Sequence, residues 1–173
     1  NAGRFLKEAG AETVKLEGSI NIAATVERLV AIDIPVVGHI GLTPQSIHRM
    51  GGHKVQGRRS GSAPGARQRL LEDARALESA GVAMFVIEGV PAELAAEITA
   101  EVSVPTIGIG AGPDCDGQVL VINDVLGIED RIAPKFVKRY AELGREASRA
   151  ISDYVAEVRG GSFPAEEHCF SAP

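Results

Sequence analysis

Short apolar runs alternate along the chain with segments in which apolar residues recur every three or four positions. Runs that are apolar on both faces are typical of strands in a buried parallel sheet, and they occur at residues 14–16, 34–41, 83–89, 104–112 and 117–127. The helical spacing predicts helices over residues 4–9, 20–31, 70–80, 91–102 and 135–158. This alternation of strands and helices predicts an α/β fold with a parallel sheet.

Two architectures fit this alternation, an open doubly wound sheet and a (β/α)8 barrel. A complete barrel needs about 250 residues, whereas the chain has 173 residues and five predicted strands. We therefore expect either the back part of a barrel or a complete open sheet. In both cases we expect one domain over residues 1–173, with a long loop at 41–66, helices at 135–160 that bury their apolar stripe, and a tail at 161–173.

Charge and composition narrow the classes of function. The net charge of −5 argues against broad nucleic-acid binding, and a hydrophobic content of 45% is ordinary for a globular protein. No apolar stretch approaches the roughly 20 residues of a membrane span, and no signal peptide is visible. We expect a cytoplasmic protein in which Cys115 and Cys169 are reduced thiols.

Charged residues and a histidine occur at the predicted strand ends, which is where the chemistry of a barrel lies. Lys15 and Glu17 are two residues apart and point to one face of their strand, unless they form an exposed ion pair. His39 ends the second apolar run, where a histidine that completes the core or rim is the more common case. Glu88 ends the most apolar strand, so its carboxylate is a candidate general base. Its alternative roles are a cap of the next helix or a pair with a neighbour.

Two other features are weaker candidates for function. The turn with Gly108, Gly110 and Gly112 matches a dinucleotide fingerprint poorly, because a strand-like run follows it instead of a helix. The segment 41–71 contains no Asp or Glu, and it is either a solvated basic loop or an anion-attracting lid beside a site. Its cations are Arg49, Lys54, Arg58, Arg59, Arg67 and Arg69.

The strand ends together offer a cation, a carboxylate that could hold a metal, a histidine and a base. Such a set suits deprotonation next to a carbonyl, or carbon–carbon bond chemistry. The residues alone leave these reactions open.

Several long blocks of the chain are similar to one enzyme family. They are VKLEG, GHIGLTPQS, GGHKVQGR, FVIEGVPAELAAEIT, VPTIGIGAGPDCDGQVLVINDVLG, APKFVK and FPAEEH, in this order over nearly all 173 residues. The blocks resemble ketopantoate hydroxymethyltransferase, also called 3-methyl-2-oxobutanoate hydroxymethyltransferase. The resemblance implies a (β/α)8 TIM barrel of the phosphoenolpyruvate/pyruvate type, here its C-terminal portion, in a homo-oligomer that is commonly decameric.

The resemblance also implies an activity. The family transfers a hydroxymethyl group from 5,10-methylenetetrahydrofolate to 3-methyl-2-oxobutanoate, which gives ketopantoate on the route to pantothenate and coenzyme A. Lys15 matches the lysine that contacts the ketoacid, Glu17 a carboxylate of the Mg²⁺ site, and Glu88 the proposed proton acceptor. His39 matches a histidine of the pocket wall. The expected partners are these two substrates and Mg²⁺, with no nucleic acid and no membrane.

The resemblance covers only the back part of the family's barrel. The chain begins at Asn1 with the end of a helix and a strand, and the family's two aspartate ligands for Mg²⁺ belong to the part before it, as does a serine that contacts the substrate. We expect a fragment that is unstable or inactive alone, because exposed sheet edges are a liability and Glu17 alone would hold a metal weakly. The alternatives are another metal-dependent ketoacid lyase of the superfamily, a noncatalytic assembly remnant, and a nucleotide-binding open sheet.

Overall fold

The computed structural model describes residues 1–59, 63–129 and 134–171. The chain forms two compact units, Asn1–Val119 and Leu120–Pro173, and each is described by itself. The expected single domain over residues 1–173 stays a prediction.

The first unit alternates strands and helices. Its strands are β1 Val14–Glu17, β2 Val36–Gly41, β3 Met84–Glu88, β4 Thr106–Ile109 and β5 Gly117–Gln118. Its helices are α1 Ala2–Ala9, α2 Ala23–Val30, α3 Ile47–Met50, α4 Ala66–Ser79 and α5 Ala92–Glu101, with 3-10 turns at Ile20–Ile22 and Pro44–Ser46. The second unit contains α6 Ile122–Val125, α7 Leu143–Gly160 and a 3-10 turn at Glu166–His168. None of the described helices has both the length and the apolar character needed to cross a membrane.

The sheet of the first unit has the strand order of a barrel. Its described strands pair in parallel and lie in the sheet in the order in which they follow along the chain. A doubly wound sheet instead reverses its strand order at a switch point. Consecutive strands that are parallel neighbours are the arrangement of a (β/α)8 barrel, and helices connect β1 to β2, β2 to β3 and β3 to β4. The predicted fold class, α/β in the form of part of a TIM barrel, is confirmed.

One face of the sheet packs against the helices and forms the core. Phe85 and Ile87 of β3 and Ile40 of β2 are at most 1% exposed, because alternate strand residues point to this side. The helices contribute buried residues that are spaced three or four positions apart, namely Leu70, Leu71, Ala74 and Leu77 of α4 and Leu94, Ala95 and Ile98 of α5. Burial of each large apolar side chain contributes about 1.5–3 kcal/mol, so this layer stabilises the packing of the sheet against its helices.

The predicted strand over residues 117–127 is wrong beyond Gln118. Val119 N–H still donates to the Gly108 carbonyl at 3.0 Å. After that point the N–H groups of Asp124 and Val125 donate to the Val121 carbonyl, which begins the short helix α6. A short apolar run fits a strand and a buried helical turn equally well.

The predicted burial of the C-terminal apolar stripe is also wrong. The spacing predicted one or two helices over residues 135–158, but residues 135–142 are not helical and α7 begins at Leu143. None of the residues of α7 is buried, and Ile151 and Tyr154 are 64% and 54% exposed. Phe136 and Tyr140 lie before α7 and are exposed as well. Amphipathic spacing predicts a helix with an apolar face, but it carries no information about what covers that face.

Gly41 is the position where the sheet tolerates no side chain. It ends β2 with a φ of +91°, and a Cβ there would stand 2.2 Å from the Glu88 carbonyl oxygen. Gly10 also has a positive φ, of +67°, but a Cβ there would meet nothing within 4 Å. We expect Gly10→Ala to cost about 1–2 kcal/mol of unfolding free energy through backbone strain alone, and Gly41→Ala to cost about 1–3 kcal/mol more through the clash. Urea unfolding of both variants tests this, and equal losses would contradict it.

The Asp116 carboxylate ties the loop before β5 to β4. Its Oδ2 accepts the Thr106 N–H at 2.8 Å and the Thr106 hydroxyl at 3.0 Å. These bonds hold the pKa of Asp116 below its usual value, and the bond from the Thr106 N–H has the larger effect. The resulting stability is present above the pKa that Asp116 has in the unfolded chain. It is lost as the pH falls through the lower pKa that Asp116 has in the folded protein.

We expect Asp116→Asn to lower the thermal midpoint at neutral pH. The difference from the wild type should vanish in acid, where the wild-type carboxyl is also protonated. Thermal melts across pH measure both effects. The matched control is Asp114→Asn, since Asp114 is exposed and has no hydrogen-bond partner within the described ranges. A difference that stays constant with pH would refute the role given to the charge.

Candidate active site

The four residues singled out from the sequence lie on one face of the sheet. Glu17 on β1 is in register with His39 on β2, and His39 is in register with Val86, two residues before Glu88. Lys15 shares the face of Glu17, because side chains alternate along a strand. This face is opposite to the one that carries the apolar core. The pairing of three short strands therefore brings together residues that are up to 73 positions apart in the sequence.

His39 is the centre of this cluster. Its side chain is 1% exposed, and its Nδ1 lies 3.3 Å from Lys15 Nζ and 3.6 Å from Glu17 Oε1. Its Nε2 lies 3.1 Å from Glu88 Oε2. The sequence favoured a core or rim position for a lone histidine, and His39 is indeed buried. Its contacts with both glutamates and the lysine could not be predicted from its position in the chain.

The lysine determines which nitrogen of His39 carries the proton in the neutral ring. An ammonium group can only donate, so the contact with Lys15 Nζ makes Nδ1 the acceptor. The proton then sits on Nε2, which faces Glu88. Glu17 Oε1 would favour the other tautomer, but at 3.6 Å it is beyond hydrogen-bonding distance of Nδ1.

The contact between His39 and Glu88 is close but is not a hydrogen bond. The two atoms are 3.1 Å apart, yet their angles do not meet hydrogen-bond geometry, and Nε2 is a buried atom without a hydrogen-bond partner in the part of the chain that is described. Buried polar groups are nearly always satisfied, so an unsatisfied one marks a candidate functional position. The Glu88 carboxylate, which is 16% exposed, therefore contacts His39 without forming a hydrogen bond to it.

Glu88 does not cap the following helix, which was one alternative for it. Helix α5 begins after Pro91 and has no side-chain capping bond. The other alternative, a pair with a neighbour, corresponds to its contact with His39.

Glu17 is held more tightly than Glu88. Its Oε2 accepts the Gln45 N–H at 2.9 Å, and its carbonyl oxygen accepts the Gln45 side-chain N–H at 2.7 Å. Gln45 belongs to the Pro44–Ser46 turn after β2 and was not among the predicted site residues. The only signal for it was its place inside the block GHIGLTPQS.

A cavity of about 860 Å³ lies beside Glu17 and is called the Glu17 cavity below. Its walls come from the loops after β1 and β2, from α3 and from the start of α4. The segment 41–66, expected to be a loop, thus contains α3 and supplies one wall. Asp73 of α4 is a further wall residue; burial raises its pKa, and the Ile20 N–H that it accepts at 2.9 Å opposes the shift.

The two weaker sequence candidates have separate outcomes. The glycine turn after β4 leads to β5 and not directly to a helix. Gly112 in this turn has a φ of +83°, and it lies so close to α5 that a Cβ on it would stand 2.4 Å from Ala92 Cβ. Close packing accounts for this glycine. In the basic segment, Arg67 pairs with Glu97, whereas Arg49 and Lys54 line the Glu17 cavity.

The residues of the chain were compared with known proteins. The sequence model of the family described as ketopantoate hydroxymethyltransferase matches residues 1–166. The chain is 59% identical over 170 residues to the 3-methyl-2-oxobutanoate hydroxymethyltransferase of Geotalea uraniireducens, a match that covers 98% of the chain and 62% of the relative. It is 57% identical over 171 residues to the protein of the same name from Syntrophomonas wolfei, covering 99% of the chain and 60% of the relative.

The chain spans 60–62% of the length of these curated relatives. The family match covers nearly all of its residues, including Lys15, Glu17, His39 and Glu88. The chain belongs to the ketopantoate hydroxymethyltransferase family.

Proposed function

We propose that this protein takes part in the transfer of a hydroxymethyl group from 5,10-methylenetetrahydrofolate to 3-methyl-2-oxobutanoate, which gives ketopantoate for pantothenate and coenzyme A synthesis. The observation that carries the proposal is the Glu88 carboxylate, which ends an apolar strand 3.1 Å from the buried His39 without a hydrogen bond to it. The relatives carry the name of this reaction and support its assignment.

Glu88 is the proposed base for the first step. The C3–H bond of the substrate lies next to the keto group, so loss of the proton leaves its electron pair in an enolate. Glu88 takes this proton. Water hydrolyses the methylene group of the folate to formaldehyde and releases tetrahydrofolate. The enolate carbon then attacks the formaldehyde carbonyl, and its oxygen takes up the proton from Glu88 to become the hydroxyl group of the product. A carboxylate that already accepts hydrogen bonds would have to give them up before it could accept a proton. Glu88 has no hydrogen bond to His39 that would have to break.

Lys15 and His39 have proposed roles around the substrate. Lys15 is exposed while its Nζ stays 3.3 Å from His39 Nδ1, so its charge is available to the carboxylate of a ketoacid. His39 is the proposed pocket wall, and its Nε2–H is directed to the side of Glu88.

Mg²⁺ is the metal that the resemblance implies, but the described residues do not make a complete site for it. Glu17 has one oxygen engaged by Gln45, whereas Mg²⁺ prefers an octahedron of oxygen ligands. Within residues 1–59, 63–129 and 134–171, no three His, Cys, Asp or Glu side chains are grouped so as to hold a metal. The role of Glu17 as a ligand, the homo-oligomer and the cytoplasmic location stay predictions.

The base role of Glu88 is tested by proton exchange at C3 of 3-methyl-2-oxobutanoate. The exchange is followed by NMR in D₂O with Mg²⁺ on the gene product at its full natural length, and it needs no folate. We expect Glu88→Gln to slow the exchange by about 10²- to 10⁴-fold, the usual contribution of a general base. The matched control is Glu93→Gln, an exposed glutamate of α5, which should exchange as fast as the wild type. Wild-type rates in Glu88→Gln would exclude it as the base, and no exchange in the wild type would exclude the enolisation itself.

The contact between Lys15 and His39 predicts a ring tautomer that can be measured without activity. Nitrogen-15 NMR of the wild type should show the proton of the neutral form of the His39 ring on Nε2. In Lys15→Met the donor to Nδ1 is lost, and Glu17 Oε1, at 3.6 Å, becomes the nearest charged group to that nitrogen. We expect the tautomer with the proton on Nδ1 to gain population. Lys7→Met on α1 is the control, and an identical tautomer in all three proteins would contradict the role of Lys15.

A further inference from the structure

The Glu17 cavity and the candidate active site share a wall residue. Glu17 Oε1 faces His39, while Glu17 also lines the cavity. The volume of about 860 Å³ is large enough for a ligand, since small-molecule sites typically measure about 300–1,000 Å³. A molecule in this cavity could therefore reach the residues around His39.

Two cations of the cavity wall have no partner in the described chain. Arg49 of α3 and Lys54 line the cavity, and the side chain of neither forms a hydrogen bond or an ion pair within residues 1–59, 63–129 and 134–171. Both residues lie close to the turn at Gly51. The Lys54 ammonium lies over this glycine, and a Cβ at Gly51 would stand 3.0 Å from Lys54 Nζ. Other arginines near α4 are engaged: Arg67 by Glu97, and Arg69 by the Pro64 carbonyl at 2.8 Å.

The remaining walls have a different character. Glu72 and Asp73 of α4 supply carboxylates, and Ile20, Ile22, Met50 and Leu70 supply apolar surface. The cavity thus offers a hydrogen-bond acceptor and apolar surface on some walls and unpaired cations on another. This combination fits a long ligand with an aromatic body, N–H donors and separate carboxylates. A reduced folate has this composition, with N–H groups on its pterin and two carboxylates on its glutamate.

We propose that the Glu17 cavity binds the folate co-substrate, with the carboxylates of its glutamate against Arg49 and Lys54 and its pterin on the side of Asp73. This inference rests on the proposed function, which requires a folate co-substrate. It adds the location of the folate and the residues that recognise its charge.

The test compares two stable probes of the same shape, one with charged carboxylates and one with neutral amides in their place. They are 5-formyltetrahydrofolate and its diamide, in which both glutamate carboxylates are neutral. Calorimetry at low salt is done on the gene product at its full natural length. The wild type should bind the acid about tenfold more tightly than the diamide, which corresponds to two partly exposed ion pairs. In the variant Arg49→Ala/Lys54→Ala the two probes should bind equally. A second variant, Asp73→Asn, should weaken both probes and keep the preference for the acid.

The control variant is Lys7→Ala/Arg28→Ala, which removes two exposed cations of α1 and α2 that do not line the cavity. It should keep the tenfold preference, and thermal melts should show that all variants fold. A wild type that binds neither probe or binds both equally would overturn the proposal, as would a preference that survives in Arg49→Ala/Lys54→Ala. Proton exchange at C3 in the wild type reports on the proposed function separately, because that step needs no folate.

Discussion

The arrangement of the candidate site depends on the parallel, in-register pairing of β1, β2 and β3. Glu17 pairs with His39, and Gly41 pairs with Glu88. Because side chains alternate along a strand, this register sends the apolar residues to the helices and the polar residues to the opposite face. A slip of one residue would bury Glu17 and Glu88 against the helices and expose Phe85 and Ile87. The same hydrophobic layer that stabilises the first unit therefore fixes the geometry of its polar cluster.

Gly41 allows β2 and β3 to stay close at the end where the chemistry is proposed. The Leu42 N–H donates to the Glu88 carbonyl at 2.7 Å, and a side chain at Gly41 would collide with that same oxygen. The backbone of Glu88 is thus held by β2 on one side, while the Gly89 N–H donates to the Ile109 carbonyl of β4 on the other. A fixed backbone with a side chain free of hydrogen bonds suits a group that must accept and release a proton.

The sequence predicted the alternation of strands and helices and the strand ends that carry Lys15, Glu17, His39 and Glu88, because the pattern of apolar residues and the period of the side chains are local properties of the chain. It did not predict the role of Gln45, since the Glu17–Gln45 bonds join residues that are 28 positions apart and depend on how the turn after β2 folds back. The exposed face of α7 was mispredicted for a related reason. A pattern such as that of Ile151 and Tyr154 defines an apolar face, but burial depends on another element that local spacing does not specify.

The two glutamates around His39 differ in how they are held, and this difference separates their proposed roles. Gln45 bonds both the carboxylate and the carbonyl of Glu17, which fixes the charge of Glu17 in one orientation. Glu88 faces the same histidine with no hydrogen bond to it. A fixed carboxylate can position a cation or a substrate, but moving a proton through it would require those bonds to rearrange. The unengaged carboxylate can change its protonation state while the framework of Lys15, His39 and Glu17 stays in place. The assignment of Glu88 as the base therefore follows from the bonds that Glu17 makes as much as from those that Glu88 lacks.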